Sequence, residues 1–257
     1  MPDKSESRSE TVPESKYGMS GLTQINAVPP VFQFDHRYDA RAGLDHWGAR
    51  MSMLDLHAFR ATPLSRDPFD FLVVPGFLKA EALPRVRDDF PNITRAGLFP
   101  LSEVSYGPRF AELIEEIRSA QLEAAFCEKF GLDLSGNPLM VTVRGRCQKK
   151  DGRIHTDTKS KIVTALLYLN AEWEADGGRL RVLRGPDDLN DMIAEVPPHG
   201  GTLIAFRPCD NSWHGHMPYE GDRRYVMLNW MSDAAVAVRE LGRHRVSAKI
   251  KRYLPFT

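Results

Sequence analysis

Cysteine is scarce in this chain. Only Cys127, Cys147 and Cys209 occur in 257 residues, an odd number with no Cys-x-x-Cys pair. That argues against a disulfide framework and against a structural zinc site. Net charge is missing as well: Lys plus Arg and Asp plus Glu both number 34. Nothing in the balance therefore directs the protein to nucleic acid or to an anionic membrane surface. No stretch approaches the roughly 18–20 apolar residues of a membrane span. The opening MPDKSESRSETVPESK is polar and unlike a secretory leader. These absences leave a reduced, cytoplasmic protein as the expectation.

What is present suits an ordinary globular domain. At 42% hydrophobic and 26% charged residues, the chain has enough apolar material for one catalytic domain plus an appendage. Residues 1–30 are rich in Ser, Glu and Pro without periodicity, and read as a disordered tail. Residues 31–137 read as a helical lead-in. Leu44, Trp47, Met51, Leu54 and Phe59 predict a helix over about 39–61. FDFLVVPGF (69–77) predicts a strand entering a turn, and a helix should follow over about 79–89. Phe110, Leu113, Ile114, Ile117, Leu122, Ala125 and Phe126 predict one long helix over about 108–131, stopped by Gly131. From 138 to 232 the texture becomes β-rich. Strands are predicted at 138–144, 161–170, 178–184, 201–206 and 224–231, separated by Gly and Pro turns. Residues 233–257 return to a helix, now basic. Strands following helices point to an α+β fold: a jelly roll with helices packed on one face.

The chemistry concentrates in the strand half. His155-Thr156-Asp157 places an imidazole and a carboxylate two residues apart, so at a strand edge both point to one face. His214 follows 57 residues after Asp157 and can close a set of three ligands. Two His and one carboxylate with an open opposite face is the arrangement of a non-haem Fe(II) oxygenase. Arg224, ten residues past His214, would present a planar fork matched to a carboxylate such as that of 2-oxoglutarate.

The residues from about 139 to 231 resemble the double-stranded β-helix (cupin-like) core of the Fe(II)/2-oxoglutarate-dependent oxygenases, nearest to their prolyl-hydroxylase-like branch. The resemblance rests on IHTD (154–157), LLYLN (166–170), GGRLRV (177–182), PPHGGTLIAF (197–206), SWHGHMP (212–218) and RRYVMLNW (223–230). It implies His155, Asp157 and His214 as metal ligands and Arg224 as the residue gripping the 2-oxoglutarate C5 carboxylate. Tyr168 would assist that arginine, and Thr164, facing the same way, would line the pocket. Arg144 stands where the branch often has a tyrosine, and is expected to contact substrate or 2-oxoglutarate. Fe(II), 2-oxoglutarate and O₂ follow as cofactor and co-substrates, with ascorbate a candidate reductant.

Competing readings attach to several of these residues. His216 shares the face of His214, but the resemblance places the ligand four residues before a proline, and Pro218 selects His214. Arg223 competes with Arg224, and the following Tyr225 favours Arg224. His155 and Asp157 alone would suit a surface turn, and Tyr168 a core position. A cupin-like metal-binding sensor and a protein-interaction scaffold are the alternatives to an enzyme. For substrate, Arg144, Arg146, Lys149, Lys150 and Arg153 suggest an anionic small molecule or glycan ahead of a protein side chain, with no nucleic acid partner.

Overall fold

The computed structural model describes residues 52–253. Its elements begin with α1 (Leu56–Ala61), β1 (Phe71–Val74), α2 (Leu83–Asp88) and β2 (Phe99–Pro100). The helices α3 (Pro108–Ile117) and α4 (Ala120–Phe130) come next, then β3 (Leu139–Cys147) and β4 (Lys161–Tyr168). Strands β5 (Leu180–Leu183), β6 (Met192–Val196), β7 (Leu203–Phe206), β8 (His214–Gly215) and β9 (Gly221–Met231) lead to α5 (Ala234–Tyr253). The predicted tail (1–30) and residues 39–51 of the first predicted helix lie outside the described residues; its described end is α1.

The long helix expected over 108–131 is two helices. The apolar stripe of Phe110, Leu113 and Ile117 keeps a 3–4 spacing, then slips to five residues at Leu122. Ser119 sits at the slip with extended backbone, and its side chain accepts a hydrogen bond from the Leu122 N–H, capping α4. Gly131 ends α4 at a positive φ of 64°, a conformation glycine adopts without penalty.

The strands form two antiparallel sheets, β1-β7-β4-β9-β3-β2 and β6-β5-β8, which build the double-stranded β-helix. Strands β2, β6 and β8 are additions to the elements expected from sequence. Two of them are only two residues long, and β6 is a partly exposed edge strand. Such pieces offer no hydrophobic period to read.

The larger sheet is buried on both faces, and alternation assigns each side chain to one of them. Val163, Ala165 and Leu167 of β4, with Val226, Leu228 and Trp230 of β9, face the helices. Trp230 is fully buried against Phe126, ring centroids 4.6 Å apart, and Phe126 lies against Phe59 at 4.7 Å. Rings of this kind bury about 150–250 Å² each. At about 25 cal/mol per Å² that is roughly 4–6 kcal/mol of apolar transfer apiece. The opposite parity, with Leu166, Tyr168, Ile204, Phe206 and Tyr225, meets Leu180, Val182 and Val196 of the smaller sheet. Helix α5 covers the far end of this second face through Met140, Met231 and Ala237. Among the described residues no helix is long and apolar enough to cross a membrane, and all three cysteines are free.

Candidate metal centre and active site

Between the two sheets lies a cavity of about 210 Å³. At its mouth His155 and His214 pair as an antiparallel bridge, exchanging both backbone hydrogen bonds at 3.0 Å. Their rings come to rest 4.3 Å apart. Asp157, two residues on, completes a cluster in which one ligand atom from each residue lies within 4.8 Å of the others.

The protonation of this cluster suits a metal. His155 Nδ1 lies 2.8 Å from the Arg153 carbonyl, and His214 Nδ1 lies 2.9 Å from the Ser212 carbonyl. A carbonyl can only accept, so each Nδ1 carries a proton and each Nε2 is the nitrogen turned toward a ligand position. Burial, then the neighbouring His155, pushes His214 down to about 4 despite the attraction of Asp157. The imidazole is thus neutral and able to ligate at ordinary pH. Burial alone would raise the Asp157 carboxyl. Lys161 and His214, with hydrogen bonds from Lys161 and Thr164, outweigh it and hold the group below its ordinary value. One exposed, one half-buried and one buried ligand leave the centre reachable from solvent on the His155 side.

The structure places Arg224, expected to grip the 2-oxoglutarate carboxylate, outside the cavity, and its neighbour Arg223 inside it. Arg224 has the parity of Val226, Leu228 and Trp230, which turns it away from the cavity. It is 36% exposed, pairs with Asp222 at 3.1 Å, and lines a separate surface groove beside Trp173 and Tyr219. Arg223 has the parity of Tyr225 and Met227 and lines the cavity with them. It is 2% exposed. Its Nε donates to the Gly178 carbonyl at 2.8 Å, and its Nη2 donates to the Tyr168 hydroxyl at 3.2 Å. The Tyr168 and Tyr225 rings flank it at 5.3 and 5.2 Å. Tyr168, expected beside Arg224, is thus hydrogen-bonded to Arg223 instead. No carboxylate among the described residues pairs with Arg223. A buried, uncompensated guanidinium is costly, and an anion entering the cavity would relieve that cost.

Arg144 lies opposite Tyr225 and lines the same cavity, yet its charge is already answered. Its Nη1 donates to Asp151 at 2.7 Å. Burial would lower its pKa, but Tyr225, Cys147 and Asp151 together raise it, so it stays charged. Thr164 lines the cavity too, with its hydroxyl engaged: it donates to Asp157 Oδ2 at 2.5 Å and accepts from Asn229 at 2.9 Å. Asn229, Thr164 and Asp157 form a chain that fixes the carboxylate. His216 is a cavity wall outside the three-ligand cluster, its Nδ1 donating to the Met217 carbonyl. Gly152 packs so closely on that ring that a Cβ would come within 2.3 Å of it. Asn229, Lys161 and Asp151 were not singled out in the sequence. The signal for Asn229 was its period-two relation to Arg223, Tyr225 and Met227.

Residues 145–232 match the 2OG-Fe(II) oxygenase superfamily. The matched segment contains the three-residue cluster, Thr164, Tyr168 and Arg223, and the match implies Fe(II) and 2-oxoglutarate at a site whose donor set fits them. No curated protein matches the chain. Solved structures similar to it include a prolyl-4-hydroxylase of Pseudomonas putida: 18% identity, TM-score 0.45, 70% of this chain and 97% of that one. A prolyl 4-hydroxylase of Phytophthora capsici has 20% identity and TM-score 0.48 over 74% and 69%. HygX of Streptomyces hygroscopicus, solved with nickel and 2-oxoglutarate, has 19% identity and TM-score 0.43 over 68% and 84%.

The depressed histidines carry a stability prediction for the metal-free protein. His214 and His216 are both lowered to about 4, each chiefly by burial. In the unfolded chain they bind protons below about 6.5. Between those values the unfolded state holds more protons, so stability falls as pH drops from about 6.5 to 4. The contribution of each reaches roughly 3 kcal/mol. Melting temperatures should fall over this window, and His216→Phe should flatten part of the slope. A pH-independent melt from 6.5 to 4.5 would contradict the buried neutral state.

Proposed function

We propose that this protein is an Fe(II)- and 2-oxoglutarate-dependent dioxygenase that hydroxylates an unactivated C–H bond of an anionic small molecule or glycan. The observation that carries the reading is Arg223, a buried guanidinium without a carboxylate partner among the described residues, in the same cavity as His155, Asp157 and His214. The three ligands would hold the iron on one face and leave the other open. Iron with 2-oxoglutarate and O₂ supplies the oxidation, 2-oxoglutarate leaving as succinate and CO₂ while one oxygen atom enters the substrate.

The remaining chemistry belongs to the chain's own residues. Arg223, braced by Tyr168 and the Gly178 carbonyl, offers its unengaged N–H groups to the distal carboxylate. Thr164 and Asn229 keep Asp157 oriented. Leu166, Leu180, Phe206 and Met227 line the same cavity and exclude water from the reacting centre. Charge supports the substrate class. Asp151 is turned inward onto Arg144, so Lys149, Lys150 and Arg153 stand exposed on that loop without ion pairs among the described residues. The loop's inner residues, Asp151 and Gly152, line the cavity, so an approaching anion meets three uncompensated cations. A reducing cytoplasmic setting would suit the free thiols and Fe(II) alike.

The test is metal-dependent consumption of 2-oxoglutarate. Purified protein should form succinate with Fe(II) and O₂. Co(II), Ni(II) or Zn(II) should inhibit, because later first-row ions bind such sites more tightly than Fe(II). Full activity with Zn(II) and none with Fe(II) would instead indicate hydrolytic chemistry.

A further inference from the structure

The backbone of β4 contains an irregularity at the metal centre. From Val163 to Tyr168 its residues pair one for one with β9, but the register shifts between Lys161, opposite Met231, and Val163, opposite Trp230. Ile162 is the extra residue, and it packs with Val163 against the helix-side core. A bulge of this kind re-aims a side chain. Without it, Lys161 would share the parity of Val163, Ala165 and Leu167 and point at the helices. With it, Lys161 enters the cavity and its Nζ lies 2.8 Å from Asp157 Oδ1, both side chains largely buried. The other carboxylate oxygen is taken by Thr164.

We propose that Lys161 is a positioning residue that holds the metal-ligand carboxylate as a resident counter-ion, lowering metal affinity and coupling it to the co-substrate. The inference rests on the reading of His155, Asp157 and His214 as the iron ligands. A divalent cation arriving at Asp157 must share that carboxylate with an ammonium group beside it, and like charges this close and this buried repel strongly. Metal, Asp157 and Lys161 together leave two positive charges at the centre. Arg223 adds a third in the same cavity. The dianion of 2-oxoglutarate, one carboxylate toward the metal and the other toward Arg223, offsets two of the three, so each ligand favours the other's binding, and the coupling is reciprocal. Lys161 thereby biases the site toward taking metal and co-substrate together.

Mn(II) titration of the metal-free protein, followed by electron paramagnetic resonance, tests this without turnover. Lys161→Met should bind Mn(II) about tenfold or more tightly than the wild type when 2-oxoglutarate is absent. The gain in Mn(II) affinity on adding 2-oxoglutarate should shrink in the same variant. Lys161→Arg, which keeps the charge, should behave as the wild type. Lys161→Gln gives a second neutral variant should Lys161→Met fold poorly. Unchanged or weaker Mn(II) binding in the neutral variants overturns the proposal, since a residue that merely props Asp157 would weaken binding when removed. A wild-type protein that binds no Mn(II) removes the iron-site reading itself, a different failure from the first.

Discussion

Replacing Arg223 by Lys is expected to weaken 2-oxoglutarate binding by about tenfold to somewhat over a hundredfold. Lysine keeps the charge but loses the planar two-pronged donor set that matches a carboxylate. Each charge-assisted hydrogen bond lost costs about 1.5–3 kcal/mol, at about 1.4 kcal/mol per tenfold. Arg223 is also held from behind, by Gly178 and Tyr168, and an ammonium group cannot bond to both of these and still present a fork to the cavity. The matched control is Arg224→Lys. That side chain pairs with Asp222 outside the cavity, and its replacement should leave affinity within about twofold. Calorimetric titration of 2-oxoglutarate into the Mn(II)-loaded protein reads both. Equal affinities for the wild type and Arg223→Lys would remove this arginine from the co-substrate site.

The pairing of those two variants is where sequence and structure part. Ten residues past His214 and followed by tyrosine, Arg224 resembled the gripping arginine, yet spacing along a chain does not set which face a strand residue takes. The alternation itself was present in the sequence. Val226, Leu228 and Trp230 form an apolar row, while Tyr225, Met227 and Asn229 form a more polar one that continues back to Arg223. Extending that row by one step selects Arg223, the arginine that lines the cavity. Lys161 could not be found in this way, because the β4 bulge inverts its parity and only the pairing with β9 reveals it.

The metal cluster was legible for the opposite reason. The two-residue spacing keeps His155 and Asp157 close along the chain, and the backbone bridge between His155 and His214 brings the third residue beside them. Helices with long unbroken periods were readable. The interruption at Ser119 was not, since the serine cap and the slip to Leu122 are both compatible with a continuous helix until the packing is seen. Arg144, expected near the co-substrate from the resemblance, lines the cavity. Its neutralisation by Asp151 depends on a seven-residue loop closure that spacing does not disclose.

Replacing His214 by Ala should abolish tight metal binding and turnover together, whereas His216→Ala should leave Mn(II) affinity within a few-fold of the wild type. The two residues lie on one face of the same short segment and are both buried, so burial and sequence alone do not separate them. What separates them is company. His214 is bridged to His155 and clustered with Asp157, while His216 packs on Gly152 and sits near Arg223, Arg144 and Asp151. Perturbing an outer group that merely orients a ligand costs about 10–100-fold in metal affinity, which is the range expected for Thr164→Val. Losing the His214 ligand itself should exceed that, by more than about a hundredfold. Mn(II) binding to the three variants therefore ranks them, with His216→Ala nearest the wild type, Thr164→Val between, and His214→Ala without measurable affinity. If His216→Ala lost the metal and His214→Ala kept it, the centre would have to be rebuilt around His216. The free Nε2 of His155 would then need a different partner across the bridge.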